Sequence, residues 1–373
     1  MSNLRIPFRY DYVGSFLRPA ALKEAREKRK AGTISQEELT QVENEAITDL
    51  IQKQKAAGYH AITDGEFRRA YWHLDFMWGL QGVKEIELEH GYFFHGEETA
   101  PGSIALTGPI SGENHPFVEH FKFVHQFEDE NTAAKQCIPA PAQMLAELFR
   151  GNNGENTNFF YPDHERLIQD IAAAYRTVLK ELYAAGCRNV QFDDCTWGMF
   201  CDKEYWDRRQ KDSQITWESE AEKYLRVNQL ALEGKPEDLT IATHVCRGNY
   251  HSTWAASGGY APIAPFLFAK EKMNAFYLEF DDDRSGNFEP LQYIPDGVKV
   301  VLGLITTKSP ELEDKDRIIA RIHEAEKYVP LDRLCLSPQC GFASCEIGNK
   351  LTEKEQWAKL ALVKEIAEEV WGK

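Results

Sequence analysis

The stretch IATHVCRGNY, residues 241–250, sets an imidazole and a thiol two positions apart, at His244 and Cys246. Both groups bind zinc, the imidazole through a ring nitrogen and the thiol as thiolate. The residues before them are apolar, as in a β-strand. In a strand, residues i and i+2 share a face, so this spacing turns both donors toward one point. The same pair also reads as a core histidine beside a small buried cysteine. A closed zinc site needs two further donors, so the rest of the chain decides between the readings.

Further donors are available. Glu279, in FYLEFDDDRSG, is a carboxylate inside an apolar run, which is costly unless it is paired or ligating. Cys340 lies in LSPQCGFAS, a segment punctuated by Pro and Gly. Two thiolates, an imidazole and a carboxylate make a tetrahedral zinc set. Cys195, Cys201 and Cys345 are rival thiol donors, whereas Cys137, Cys187 and Cys335 read as packing. The chain has 8 cysteines but no C-x-x-C pair, so a zinc-ribbon or thioredoxin-like reading has no support.

Whether these residues meet depends on the elements that carry them. One unit recurs: an amphipathic helix, a glycine stop, then a short apolar strand that runs into polar residues. Ser35 and Glu38 form a capping box for a helix that ends near Gly58, and AAGYHAITDGE follows with a strand and the acids Asp64 and Glu66. HERLIQDIAAAYRTVLKELYAAG repeats the helix, and CRNVQFDD repeats the strand, ending at Asp193 and Asp194. Helix alternating with strand predicts a parallel sheet. Eight strands are expected, near residues 10–13, 60–63, 136–139, 189–192, 240–244, 276–279, 298–304 and 333–337. Eight such units predict an α/β fold of the TIM-type (β/α)8 barrel class, with the site at the C-terminal strand ends; a doubly wound open sheet is the second choice. Residues 67–135 break the rhythm with alternating runs (VKEIELEHG, SIALTGPI, FKFVHQFE). They are expected to be an inserted hairpin region after the second strand, within a single domain of 373 residues.

Composition excludes several classes. A net charge of −16 argues against nucleic-acid binding and against anionic membrane surfaces. No apolar run of about 18 residues is present, and MSNLRIPFRYDYVGS lacks the apolar core of a signal peptide, so a cytoplasmic protein is expected. The absence of GxGxxG and GxxxxGK[ST] patterns weakens a nucleotide-binding reading.

The strand ends carry a family resemblance. VGSF (13–16), DGE (64–66), QFDD (191–194), HVC (244–246), LEFDDDRSG (278–286) and SPQCG (337–341) occur in this order. Together they resemble the catalytic C-terminal barrel of cobalamin-independent methionine synthase. The resemblance implies that His244, Cys246, Glu279 and Cys340 bind Zn2+. It also implies that Gly14, Ser15, Glu66 and Asp193 hold homocysteine, with the acids on its ammonium and the Gly-Ser turn on its carboxylate. Methyl transfer from 5-methyltetrahydrofolate to the homocysteine thiol is the implied reaction, and both substrates are small molecules. Read as residues alone, these acids are equally helix caps and solvated loop acids.

The chain departs from the family in its donor half. The family carries an acidic histidine after the seventh strand, where GLITTKSPE offers Thr306 or Thr307; Thr306 is the weak catalytic candidate. The family also has a pterin-stacking tryptophan after its third strand, and PAPAQMLAELF has none, leaving Trp72, Trp78 or Trp197 as substitutes. A different methyl donor, such as a corrinoid protein or a sulfonium compound, therefore stands beside folate, and a zinc hydrolase is the rival reaction. Arg18, Arg68 and Arg247 are candidates either for anion binding or for salt bridges.

Overall fold

The computed structural model describes residues 3–212 and 215–372. A six-stranded parallel sheet forms the frame, running in spatial order from Gln136–Pro139 through Asn189–Asp194, Thr240–Val245, Ala275–Glu279 and Lys299–Ile305 to Leu334–Pro338. Each strand pairs with its sequence neighbour, as in a βα repeat. Ala61–Ile62 joins in parallel beside Ala133–Ala134, just ahead of Gln136. At the other edge Tyr10 bridges Leu336 in parallel, and the Asp11 N–H donates to the Leu336 carbonyl at 3.0 Å. Between the first two segments the contact runs through side chains and turns. The Thr63 hydroxyl donates to the Gly14 carbonyl at 2.9 Å, and the Phe16 N–H donates to the Gly65 carbonyl at 3.1 Å. The six-stranded parallel sheet with these flanking segments gives the α/β fold of the TIM-type barrel class. The strand expected at 10–13 is reduced to a single bridge at Tyr10, and the one expected at 60–63 to Ala61–Ile62.

The helices pack outside the strands for the reasons the pattern gives. Gln36–Ala56 opens on the Ser35–Glu38 capping box. His164–Ala184 buries Leu167, Ile171, Tyr175, Val178 and Leu182 along one stripe. Glu353–Trp371 opens on a second capping box at Thr352 and Glu355. Among the described residues no helix is long and apolar enough to cross a membrane.

Within residues 67–135, Gln81–Glu87 pairs antiparallel with Gly102–Ser111, and Phe93–Phe94 with Glu97–Glu98. FKFVHQFE is different from its expected strand: its first five residues form the end of the helix Pro116–His125. Pro116 sits at its first turn, His115 caps the Phe117 N–H, and Phe117, Val118, Phe121 and Val124 are buried at helical spacing. The local period-2 alternation was weaker than this capping signal.

Candidate metal and substrate site

Ladder register sets the geometry. Asp193 lies opposite His244, and His244 lies opposite Tyr277, two positions before Glu279. The C-terminal ends of adjacent strands therefore present an acid, an imidazole and a second acid side by side. His244, Cys246, Glu279 and Cys340 place one ligand atom each within 4.8 Å of one another, all buried. The two sulfurs are 3.6 Å apart. Gly248, at φ +90°, aims its N–H at the Cys246 sulfur from 3.2 Å.

Neither ring nitrogen of His244 has a partner, and Glu279 Oε1 has none. Buried polar atoms without partners are rare in proteins; converging on one point, they fit a divalent cation. Without one the site opposes charge. The hydrogen bond with Cys195 and burial push the Cys246 thiol well above its ordinary value. Burial pushes Glu279 up to about 7, against the pull of Lys308. A bound cation reverses both directions by stabilising thiolate and carboxylate.

Beside this cluster stands a second one. Glu66, Cys137 and Asp193 bring their ligand atoms within 4.8 Å of one another. Glu66 has a left-handed backbone, φ +62°, on a turn where its N–H donates to the Asp64 carboxylate at 2.8 Å. Strain of this kind gathers at functional sites. Its Oε1 faces Arg69 at 3.4 Å, while Oε2 is buried without a partner. Gln191 donates to Asp193 at 2.7 Å. Burial pushes both acids up to about 7, with Arg69 opposing the shift at Glu66 and Gln191 opposing it at Asp193. A buried acid pair with an orphan oxygen suits an ammonium group.

One cavity joins the clusters, lined by Ser15, Glu66, Asp193, His244, Cys246 and Cys340 among others. Ser15 sits on the turn after the first segment, its carbonyl taking the Phe342 N–H at 3.0 Å. Gly14 lies beneath at φ +152°, where a Cβ would meet the Cys137 sulfur at 2.7 Å. Cys195 and Cys345 also line the cavity, whereas Cys201 is buried with its thiol on the Trp197 carbonyl. Thr306 is not among the lining residues; its hydroxyl accepts from the Lys308 N–H at 3.3 Å. Trp72 reaches the cavity, Trp78 does not, and Trp197 is core.

The arginines separate. Arg18 donates to the backbone carbonyls of Phe16, Glu66, Arg69 and Ala343, and Arg68 pairs with Glu43 at 3.0 Å. Arg247 packs behind Glu279, its Nη1 donating to the Glu279 carbonyl at 3.2 Å and to the Tyr260 hydroxyl at 2.9 Å. Sequence reasoning missed Arg69, because nothing in FRR distinguishes the inward arginine from its neighbour. It also set Cys137 aside as packing; only the register of Pro139 opposite Asp193 places that strand beside the acids.

Thiol, imidazole and carboxylate donors gathered at the strand ends of a parallel α/β fold define a class of barrel proteins with a candidate metal site. The sequence model of the cobalamin-independent synthase catalytic domain matches residues 10–369, and the chain belongs to that family. It is 43% identical to the uncharacterized protein YxjH of Bacillus subtilis, over 98% of this chain and 96% of that one. A methionine synthase of Saccharolobus solfataricus is 24% identical, over 88% of this chain and 86% of the relative. The crystal structure of a putative vitamin-B12 independent methionine synthase from Listeria monocytogenes superposes with a TM-score of 0.78 at 39% identity, covering 99% of this chain and all of the other.

Proposed function

We propose that this chain is a zinc-dependent methyltransferase that moves a methyl group to the thiol of homocysteine and so forms methionine. The observation that carries the reading is adjacency: two thiols and an imidazole of a four-residue donor set that also includes Glu279 line one cavity with Glu66, which holds an orphan oxygen, and Asp193. A free thiol has a pKa of about 8.5 and is mostly protonated at neutral pH. Zinc held by His244, Cys246, Glu279 and Cys340 would deprotonate it, and a thiolate is the nucleophile methyl transfer needs.

The remaining substrate-binding roles are those the family resemblance implies, and the positions of the residues are compatible with them. Glu66 and Asp193 take the α-ammonium of the amino acid, and Arg69 keeps Glu66 in place. The Gly14-Ser15 turn takes its carboxylate. Arg247 orients Glu279 from behind. The substrates are small molecules in a cytoplasmic setting, in keeping with a net charge of −16 that disfavours anionic polymers. The resemblance supplies methyltetrahydrofolate as donor, but it is the acceptor half that the residues support. A hydrolase is disfavoured because two thiolates make a metal a poorer Lewis acid than nitrogen-rich sites do.

The test is X-ray absorption on zinc-loaded protein with and without homocysteine. A rise from two to three sulfur ligands is expected. An unchanged shell, with turnover of an ester or amide instead, would sink the reading.

A further inference from the structure

Resting on the homocysteine reading above, we propose that the methyl donor is a small methylsulfonium cation, held in an aromatic, acidic cavity above the metal donors. Four aromatic side chains line that cavity: Tyr71, Trp72, Tyr92 and Phe94. Its lining includes the acids Glu66 and Asp193 but no lysine or arginine among the described residues. The nearby guanidinium groups are engaged elsewhere. Arg69 serves Glu66 and the Cys137 carbonyl, Arg247 serves Glu279 and Tyr260, and Arg150 donates to Glu147 and lies 4.2 Å over the Tyr92 ring. A folate with a polyglutamate tail finds no counter-charge on this wall. With Glu66 and Asp193 engaged by the homocysteine ammonium, an onium cation meets the aromatic side chains, surroundings that recognise quaternary and sulfonium groups.

Hydrogen-bond bookkeeping sharpens the polarity of the wall. The Tyr92 hydroxyl gives its one proton to Glu147. Its oxygen must then accept from His73 Nε2, 3.0 Å away. That fixes the tautomer, so His73 Nδ1 carries a bare lone pair, and it is buried without a partner. Burial pushes His73 down to about 3, so the ring is neutral. The wall therefore offers aromatic rings and a neutral imidazole, and the nearest cation, Arg150, is paired with Glu147.

The chemistry agrees with the placement of Thr306 and Thr307. In transfer from a sulfonium, the thiolate sulfur forms a bond to the methyl carbon as the bond from carbon to the sulfonium sulfur breaks. The bonding pair stays on the departing sulfur, which leaves as a neutral thioether and needs no proton. Transfer from a tertiary amine nitrogen of folate needs an acid for the departing nitrogen. After the seventh strand no acid is supplied: the Thr307 hydroxyl donates to the Gly341 carbonyl at 3.0 Å, and Thr306 lies off the cavity.

The experiment uses the zinc-loaded full chain with homocysteine and four donors in parallel: dimethylsulfonioacetate, glycine betaine, 5-methyltetrahydropteroyltriglutamate and methylcobalamin. Methionine is expected from the sulfonium at a rate at least about tenfold above the others. Trimethylsulfonium binding, read by calorimetry, is expected to weaken about tenfold in Trp72→Leu with zinc content unchanged. Turnover with betaine, folate or methylcobalamin but not the sulfonium overturns the proposal, as does equal trimethylsulfonium binding by parent and variant. Cobalt-substituted protein separates the two readings. If homocysteine shifts its sulfur-to-cobalt absorption while no sulfonium reacts, only the donor assignment fails; if homocysteine leaves the spectrum unchanged, the homocysteine reading fails with it.

Discussion

The backbone N–H of Arg247 donates to Glu279 Oε2 at 2.9 Å, across the ends of two neighbouring strands. One carboxylate oxygen is thereby fixed and the other, Oε1, is left for the cluster. The Arg247 side chain reinforces this by gripping the Glu279 carbonyl and the Tyr260 hydroxyl, which itself accepts from the Glu279 N–H at 2.8 Å. Groups that orient ligands from behind are worth about 10–100-fold in metal affinity. Arg247→Met is expected to weaken zinc binding by about that factor, measured by competition with a chromogenic chelator. Unchanged affinity would mean that the backbone bond alone orients Glu279.

The four donors are not equivalent. Cys246 and Cys340 sit sulfur to sulfur at 3.6 Å, while Glu279 offers a single free oxygen on a carboxyl whose burial favours the neutral form. On the proposed function, Glu279 would be the ligand an incoming thiol displaces. Cys246→Ser and Cys340→Ser are expected to lose bound zinc and at least about 100-fold in activity. Glu279→Gln should keep a larger share of its metal than either serine variant. Metal content after dialysis checks the order, and a Glu279→Gln protein emptier than Cys246→Ser would refute it.

Much of this was legible in the chain. Short apolar strands ending in DGE, QFDD and HVC, each behind a helix and a glycine stop, give both the barrel and the face on which the donors gather. The helix Pro116–His125 was not legible from alternation, because FKFVHQFE satisfies a period of two and of 3.6 together, and only the His115 cap decides it. Arg69 and the aromatic wall were hidden for another reason. Their inward placement depends on how residues 67–135 fold back over the strand ends, and hairpin register carries no signal for which side chain meets a distant cavity.

Stability of the metal-free protein should depend on Glu66 and pH. Its carboxyl titrates near 7 in the fold, chiefly through burial, against about 4.3 in an unfolded chain. Between those values the native state holds a proton that the unfolded state has lost. Its contribution is full below about pH 4.3 and is lost as pH rises through about 7. Each such group steepens the fall by at most about 1.4 kcal/mol per pH unit. Glu66→Gln is expected to match the parent near pH 4, to exceed it at pH 8 in urea unfolding, and to bind homocysteine at least about tenfold more weakly. Parallel stability curves for the two proteins would contradict this.

The turn under Ser15 allows a separation of substrate binding from metal binding. Gly14 has φ +152°, and a Cβ there would come within 2.7 Å of the Cys137 sulfur, itself bonded to the Val13 carbonyl at 3.3 Å. Gly14→Ala must move either the turn or Cys137, and Cys137 stands with Glu66 and Asp193. The nearest atoms to the new methyl belong to Cys137 and Thr63, not to His244, Cys246 or Glu279. The expected result is a homocysteine KM raised at least about tenfold, since misplacement of a binding group by an ångström is felt at this scale. Zinc stoichiometry should stay at the parent value. A variant that loses zinc and homocysteine binding together would show that the turn supports the whole barrel mouth rather than the substrate pocket alone.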